Sequence, residues 1–193
     1  HGAEFDRFAS GVGGVVQHVE DGLFESVGRD EVALVGGEER GDPRIRTHLE
    51  MSEAMKAQDP AVMKAGTTVF IQCVGSRCQE RPWCSKVCCN HTVKDAIALK
   101  EANSAANIYV LYRDIRTYGL NEPYYEQARR MGVVFVRYDP EAPPVVEIGQ
   151  KIVVKVKDLI LGGTMTLEAD SLALAAAVVP NDYNKELARM FKI

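Results

Sequence analysis

The sequence predicts an α/β protein built on a parallel sheet, and three observations carry that prediction. Between Thr67 and Tyr138, apolar β-branched runs alternate with stretches of helical periodicity in the order strand, loop, helix, strand, helix, strand. Such a βαβαβ unit implies parallel strands. The length of 193 residues suits one core of this kind with an irregular appendage. All five cysteines lie between Cys73 and Cys89, where the first strand gives way to the first helix.

Taken in order, residues 1–66 are glycine-rich and weakly periodic. SGVGG at 10–14, VGG at 35–37 and RGDPR at 40–44 punctuate short apolar pieces, so loops and short strands are expected. HLEMSEAMKA, from His48 to Ala57, reads as a short helix with Leu49, Met51 and Met55 on its apolar side. TTVFIQCV, beginning at Thr67, has the continuous apolar character of a buried strand and ends at Gly75. Ser85 to Ala102 places Val87, Val93, Ala96, Ile97 and Leu99 at helical spacing. NIYVLYR, EPYYEQARRM closed by Gly132, and VVFVRY supply the second strand, the second helix and the third strand. Val145–Val156 and Thr164–Glu168 read as a β meander turned at Gly149 and at Gly162-Gly163, and Ser171–Val178 as a final apolar strand. The division expected is an irregular segment with an insertion over 1–66 and a Rossmann-like domain, which holds all five cysteines, over 67–193.

Composition excludes several classes. Lys plus Arg total 23 against 27 Asp plus Glu, a net charge of −4, which is no nucleic-acid footprint. No apolar run approaches the roughly 20 residues of a membrane span, so direct membrane insertion is not expected. Clustered cysteines in an α/β chain point to metal or redox chemistry in a reducing compartment rather than to a disulfide framework, hence a cytoplasmic protein.

The cysteine spacing is specific. Cys84 and Cys88, four apart, are expected on one face at the start of the helix, with Cys89 rotated further round. Cys73 sits where the strand runs out, the sheet edge at which ligands collect. Four sulfurs can converge there beside a helix N-terminus, which suits a [4Fe-4S] core that is anionic once it carries four thiolates, with Arg77 and Lys86 compensating charge. Cys78 is the spare. A structural zinc site or a subunit-docking module without redox activity is the alternative, although a vicinal Cys-Cys makes an awkward zinc knuckle, and a dithiol switch is a third possibility. Cys73-Val-Gly-Ser-Arg77 lacks the second and third glycines that let a pyrophosphate approach, so nicotinamide cofactors are not expected. His91 is the one histidine near the cysteines, and Trp83 is read as a hydrophobic shield.

The segment FIQCVGSRCQERPWCSKVCC, followed by the Lys94 helix and by YVLYRDIRTYG, resembles the A-type subunit of heterodisulfide reductase and its relatives, including the flavin subunits of the quinone-interacting membrane-bound oxidoreductase. The resemblance runs from about Thr67 to Asn181 and includes Tyr124-Tyr125, Ala128, the strand after Gly132 and Leu167–Asp170. Phe5–Ala9 resembles the segment that leads into this region, while residues 12–66 match poorly. The resemblance implies the nicotinamide-domain position of a thioredoxin-reductase-like flavoprotein, turned into an iron–sulfur region of an electron-transfer oxidoreductase. It implies cluster ligation by Cys73, Cys84, Cys88 and Cys89, a lysine facing FAD at Lys94, and partner subunits of an electron-transfer complex. The flavin domain and ferredoxin modules are missing here, so the chain reads as a fragment that is inactive in isolation.

Overall fold

The computed structural model describes residues 33–35, 42–179, 181 and 183–193. The glycine runs at 10–14 and 36–37 and the Phe5–Ala9 segment lie outside the described residues. The described residues up to Val178 belong to one compact unit; those from Val179 onward fall in a second, in which the helix Asn184–Phe191 ends on Lys192 in a left-handed conformation.

In the larger unit the chain runs β1 (Ala33–Val35), β2 (Ile45–Thr47), α1 (His48–Lys56), α2 (Pro60–Met63), β3 (Thr67–Val74), α3 (Cys88–Ala102) and β4 (Asn107–Tyr112). It continues through α4 (Glu122–Arg130), β5 (Val134–Arg137), β6 (Val145–Ile148), β7 (Ile152–Lys157), β8 (Thr164–Ala169) and β9 (Ser171–Ala176). Five strands, in the order β2-β9-β3-β4-β5, make a parallel sheet. Parallel neighbours require crossovers, and α3 and α4 supply them between β3, β4 and β5. A second sheet, β1-β6-β7-β8, is antiparallel from β6 to β8. The meander anticipated from the glycine turns is therefore present, and its turns fall at 149–151 and 158–163.

The two sheets and the helices make three layers, and the period of two along β3 shows how. Val69 and Ile71 face one cluster with Ile152, Val154, Val156 and Leu167 of the antiparallel sheet. Phe70 faces the other, with Met51, Val93, Ala96 and Ala128 of the helices. Because β3 is covered on both sides, its apolar run is nearly unbroken. The same argument fits SLALAA, every residue of which is buried in β9. Asp170 locks that strand in place: its carboxylate accepts the amides of Gly66 and Thr67, each at 3.0 Å, and pairs with Lys151. A side chain at Gly66 would meet this carboxylate at 3.2 Å, so the close approach depends on glycine.

Helix α1 starts on a capping box, with the Glu50 amide donating to Thr47 Oγ1 at 3.3 Å and the Thr47 amide to Glu50 Oε2 at 2.6 Å. It is the helix expected from His48 to Ala57 and buries Met51 and Met55; Leu49 is exposed instead. Helix α3 differs from its expected span by beginning at Cys88 rather than Ser85, because Lys86 has φ 63° and breaks the helical path just before it. Among the described residues no helix is long and apolar enough to cross a membrane.

Candidate metal centre

Sheet topology builds the site. From β3 the chain grows outward through β4 to β5, then returns to the other side of β3 as β9, so the sheet reverses direction between β3 and β9. Crevices at the carboxyl ends of strands on either side of such a reversal are where α/β proteins bind ligands. Cys73 sits there. Ile71 pairs with Leu174 but Val74 with Ala176, so β3 carries one extra residue, and Cys73 takes the left-handed conformation at φ 63°. Left-handed backbone at a non-glycine residue is strained and marks positions held by their surroundings. The loop that follows is wound by the same device, with Gly75, Arg77 and Lys86 all at positive φ.

The loop folds back on itself through Arg77 N to Trp83 O and Cys78 N to Arg81 O, both 3.2 Å. Trp83 is 46% exposed and its Nε1 donates to Val178 O at 3.5 Å, so it braces the loop rather than capping the cysteines. Cys84 belongs to this loop and does not share a helix face with Cys88, as the spacing had suggested; Cys88 and Cys89 open α3, whose N-terminus has no side-chain cap among the described residues.

All five cysteines are free thiols. Charge on Cys84 acts on Cys73, Cys88 and Cys89, charge on Cys73 acts on Cys88 and Cys89, and charge on Cys89 acts on Cys88. Every pair among these four is thus within electrostatic reach. Burial pushes the Cys88 thiol up to about 12, with Cys89, Cys73 and Cys84 adding to the rise. Burial also raises Cys73 and Cys89, against the opposing pull of Arg77 on Cys73 and of the Arg116 amide on Cys89. Each of the four sulfurs receives one hydrogen bond: Cys73 from the Arg77 side chain, Cys84 from the Lys86 amide at 3.3 Å, Cys88 from the Ser85 side chain and Cys89 from the Arg116 amide. Cys78 does the reverse, donating to Gly75 O at 4.0 Å and bonding the Glu80 carboxylate.

Sequence reasoning missed the second wall of the site. Arg113, Asp114 and Arg116 follow β4, the strand beside β3, so the loop after β4 meets the loop after β3. Asp114 pairs with Arg77 and, at 2.9 Å, with Arg116, and its carbonyl lies 3.9 Å from Cys89 Sγ. Arg113 acts on Cys73, and its Nε is buried with no hydrogen-bond partner among the described residues, an unanswered cationic donor at the sulfurs. Arg77 is at the site as expected; Lys86 contributes its amide.

Behind the cysteines lies a buried polar cluster between α1 and α3. Ser52 Oγ is 2.6 Å from His91 Nε2 and donates to Asp95 at 3.0 Å, with His91 3.5 Å from Asp95. His48 bonds Thr92 Oγ1 at 3.1 Å, and Thr92 takes a 2.5 Å bond from Gln72 Nε2, next to Cys73. The bulge leaves Gln72 O to be satisfied by Tyr138 OH at 2.7 Å. Lys94, half-buried on α3, lies within electrostatic range of His91 and Asp95.

Among the described residues no three Cys, His, Asp or Glu side chains converge tightly enough to hold one metal ion. Tetrahedral zinc would require sulfurs about 3.8 Å apart. Four soft donors, three half-buried and Cys89 buried, that repel one another as thiolates, each with its own hydrogen-bond donor and with arginines around them, fit a wider, thiolate-ligated group such as an iron–sulfur cluster.

The chain is 36% identical to the A-type iron–sulfur subunit of the CoB–CoM heterodisulfide reductase of Methanocaldococcus jannaschii over 126 residues, which is 63% of this chain and 19% of that protein. It is 37% identical to the A-type subunit of the H(2)/formate:CoB-CoM heterodisulfide,ferredoxin reductase of Methanococcus maripaludis, over 65% of this chain and 20% of that one. The chain spans about a fifth of the length of these relatives. Among solved structures, a T. acidophilum thioredoxin reductase superposes with a TM-score of 0.48 at 14% identity, covering 78% of this chain and 41% of the other. No protein-family model matches the chain.

Proposed function

We propose that this chain is the iron–sulfur-binding part of a heterodisulfide-reductase-A-like oxidoreductase and carries a [4Fe-4S] cluster on Cys73, Cys84, Cys88 and Cys89. The observation that carries the reading is the separation of the five thiols into two kinds. Four lie within electrostatic reach of one another and each accepts a hydrogen bond, while Cys78 is not among the groups whose charge acts on Cys73, Cys88 or Cys89. The sequence similarity to the A-type subunits of heterodisulfide reductases supports the same assignment.

A bound cluster supplies one-electron transfer at a potential set by burial and by hydrogen bonds to sulfur. The chain's own residues set those conditions. The Lys86 and Arg116 amides, the Ser85 side chain and Arg77 stabilise charge on the sulfurs, and Arg113 places a further guanidinium beside Cys73. The parent protein is read as a cytoplasmic flavoprotein that relays electrons between FAD and other clusters, with further subunits as partners.

Anaerobic reconstitution of the chain with iron and sulfide tests the assignment. About four irons and four sulfides per chain, a brown colour with broad absorbance near ~400 nm and an EPR signal on reduction are expected. A colourless protein that retains stoichiometric zinc in preference to iron would establish the structural-zinc alternative.

In the parent protein, Lys94 is read as facing the flavin, a role supported by the resemblance and compatible with its half-buried place on α3. Its charge then stabilises the anionic reduced flavin. Lys94→Ala in the flavin-loaded parent protein is expected to lower the flavin potential by about 30 mV, equivalent to ~1.4 kcal/mol in a two-electron couple. An unchanged potential beside an intact cluster would return Lys94 to the ordinary solvated helix surface.

A further inference from the structure

At the carboxyl ends of β4 and β5 lies an open cavity of about 500 Å³ that shares Arg113 and Asp114 with the cysteine site but is lined by none of the cysteines. Its volume is in the range of small-molecule sites. Tyr112 and Tyr125 form one wall, and both are set edge-on against Phe135, with ring centroids 6.3 and 4.7 Å away. Phe135 thereby fixes the orientation of both rings. Tyr118, 67% exposed, stands at the mouth beside Gly119, which has φ +66°, and so offers a free aromatic face.

The charged groups divide unevenly. Asp114 is already answered by Arg77 and Arg116. Arg137 is exposed, and its Nε donates to Arg113 O at 3.0 Å, which anchors the guanidinium at the cavity. Glu122, at the start of α4, adds a carboxylate to the lining. Stacking surfaces near one fixed guanidinium select a flat ring that carries an anionic group.

We propose that this cavity binds a nucleoside phosphate, with the base between Tyr118 and the Tyr112–Tyr125 wall and the phosphate on Arg137. A mononucleotide is the right size, whereas the second half of a dinucleotide would have to cross the β3–α3 turn, where the cysteine loop replaces a glycine cradle. The site is independent of iron, so its failure and that of the cluster assignment are separable.

The test is calorimetric titration of the 193-residue chain with AMP, adenosine, inorganic phosphate and NAD. AMP is expected to bind with a dissociation constant below about 1 mM, with adenosine and phosphate each at least about tenfold weaker and NAD no tighter than AMP. Arg137→Gln should weaken AMP about tenfold and leave adenosine unchanged, while Tyr118→Ala should weaken both, with circular dichroism verifying the fold of each variant. No AMP binding, phosphate binding as tightly as AMP, or an Arg137→Gln variant with unaltered AMP affinity each overturns the proposal. Tighter binding of NAD than of AMP overturns its mononucleotide limit.

Discussion

Replacing Cys88 with alanine is expected to reduce the iron retained after reconstitution from about four per chain to less than one, with loss of the absorbance near ~400 nm. Cys88 feels the charge of all three other ligand candidates, and its thiol, pushed up to about 12, loses its proton to solvent only when a strongly cationic centre binds the sulfur. Cys73→Ala, Cys84→Ala and Cys89→Ala should lose iron in the same way. Cys78→Ala should keep it, because that sulfur is turned toward Gly75 O and Glu80. Since Cys73, Cys84 and Cys88 are only half-buried, their truncation should change metal-free thermal stability by no more than about 1 kcal/mol, which separates ligand loss from misfolding. Ligation also releases thiol protons, so iron loading should improve as pH rises. Full iron retention in Cys88→Ala, or its loss in Cys78→Ala, would redraw the ligand set.

The second large effect concerns Asp95, 2% exposed beneath the cysteines. Burial raises its carboxyl to about 7 from an unperturbed 3.8, against the bond from Ser52 and the charges of Lys94 on α3 and Lys56 on α1. A raised carboxyl favours the folded state below about pH 4, and that contribution is lost progressively as pH climbs to 7. The histidines act in the opposite sense. Burial, then the charge of His91, lowers His48 to about 3; burial, then Lys94 and Lys56, lowers His91 to about 4. Their stabilisation is complete above about pH 6.5 and is lost as pH falls. Between about pH 4 and 6.5 two histidines outweigh one aspartate, so stability should climb by about 1.4 kcal/mol per pH unit. Above about 6.5 only Asp95 still titrates, and stability should dip slightly.

Asp95→Asn keeps the shape and an acceptor for Ser52 while removing the carboxylate. Its acid-side slope should roughly double, and it should exceed the wild type by roughly 2–4 kcal/mol at about pH 8. Urea midpoints of both proteins from about pH 4.5 to 8 check this. Two parallel curves would mean that Asp95 is not a titrating group in this range.

The β3-to-β5 unit was legible because covered parallel strands and amphipathic helices write their burial directly into runs such as TTVFIQCV and EPYYEQARRM. Strand β9 was legible as buried but not as the neighbour of β3, since SLALAA states burial without stating a partner; Asp170 on Gly66 and Thr67 decides that. The cysteine segment announced a site by its density. Spacing then misplaced Cys84 on the helix, because a left-handed lysine leaves no mark in a periodicity count. Nothing in the spacing of Arg113, Asp114 and Arg116 points to the sulfurs, and only the pairing of β4 with β3 brings them there. The same holds for His48, Ser52 and Asp95, polar residues at intervals that any exposed helix face could show.

The placement of β9 also governs the order of assembly. Thr68 pairs with Ser171 about a hundred positions away, so the middle of the main sheet closes through a contact of long sequence separation. Local helices and the β3–β4–β5 crossovers can form early, but the chain must complete the β6–β8 meander before β9 can insert between β2 and β3. Until then both flanking strands present open edges, the species most prone to intermolecular pairing. A chain shortened ahead of Ser171 would remain in that exposed state, and refolding yield should fall with protein concentration far more steeply for it than for the intact sequence.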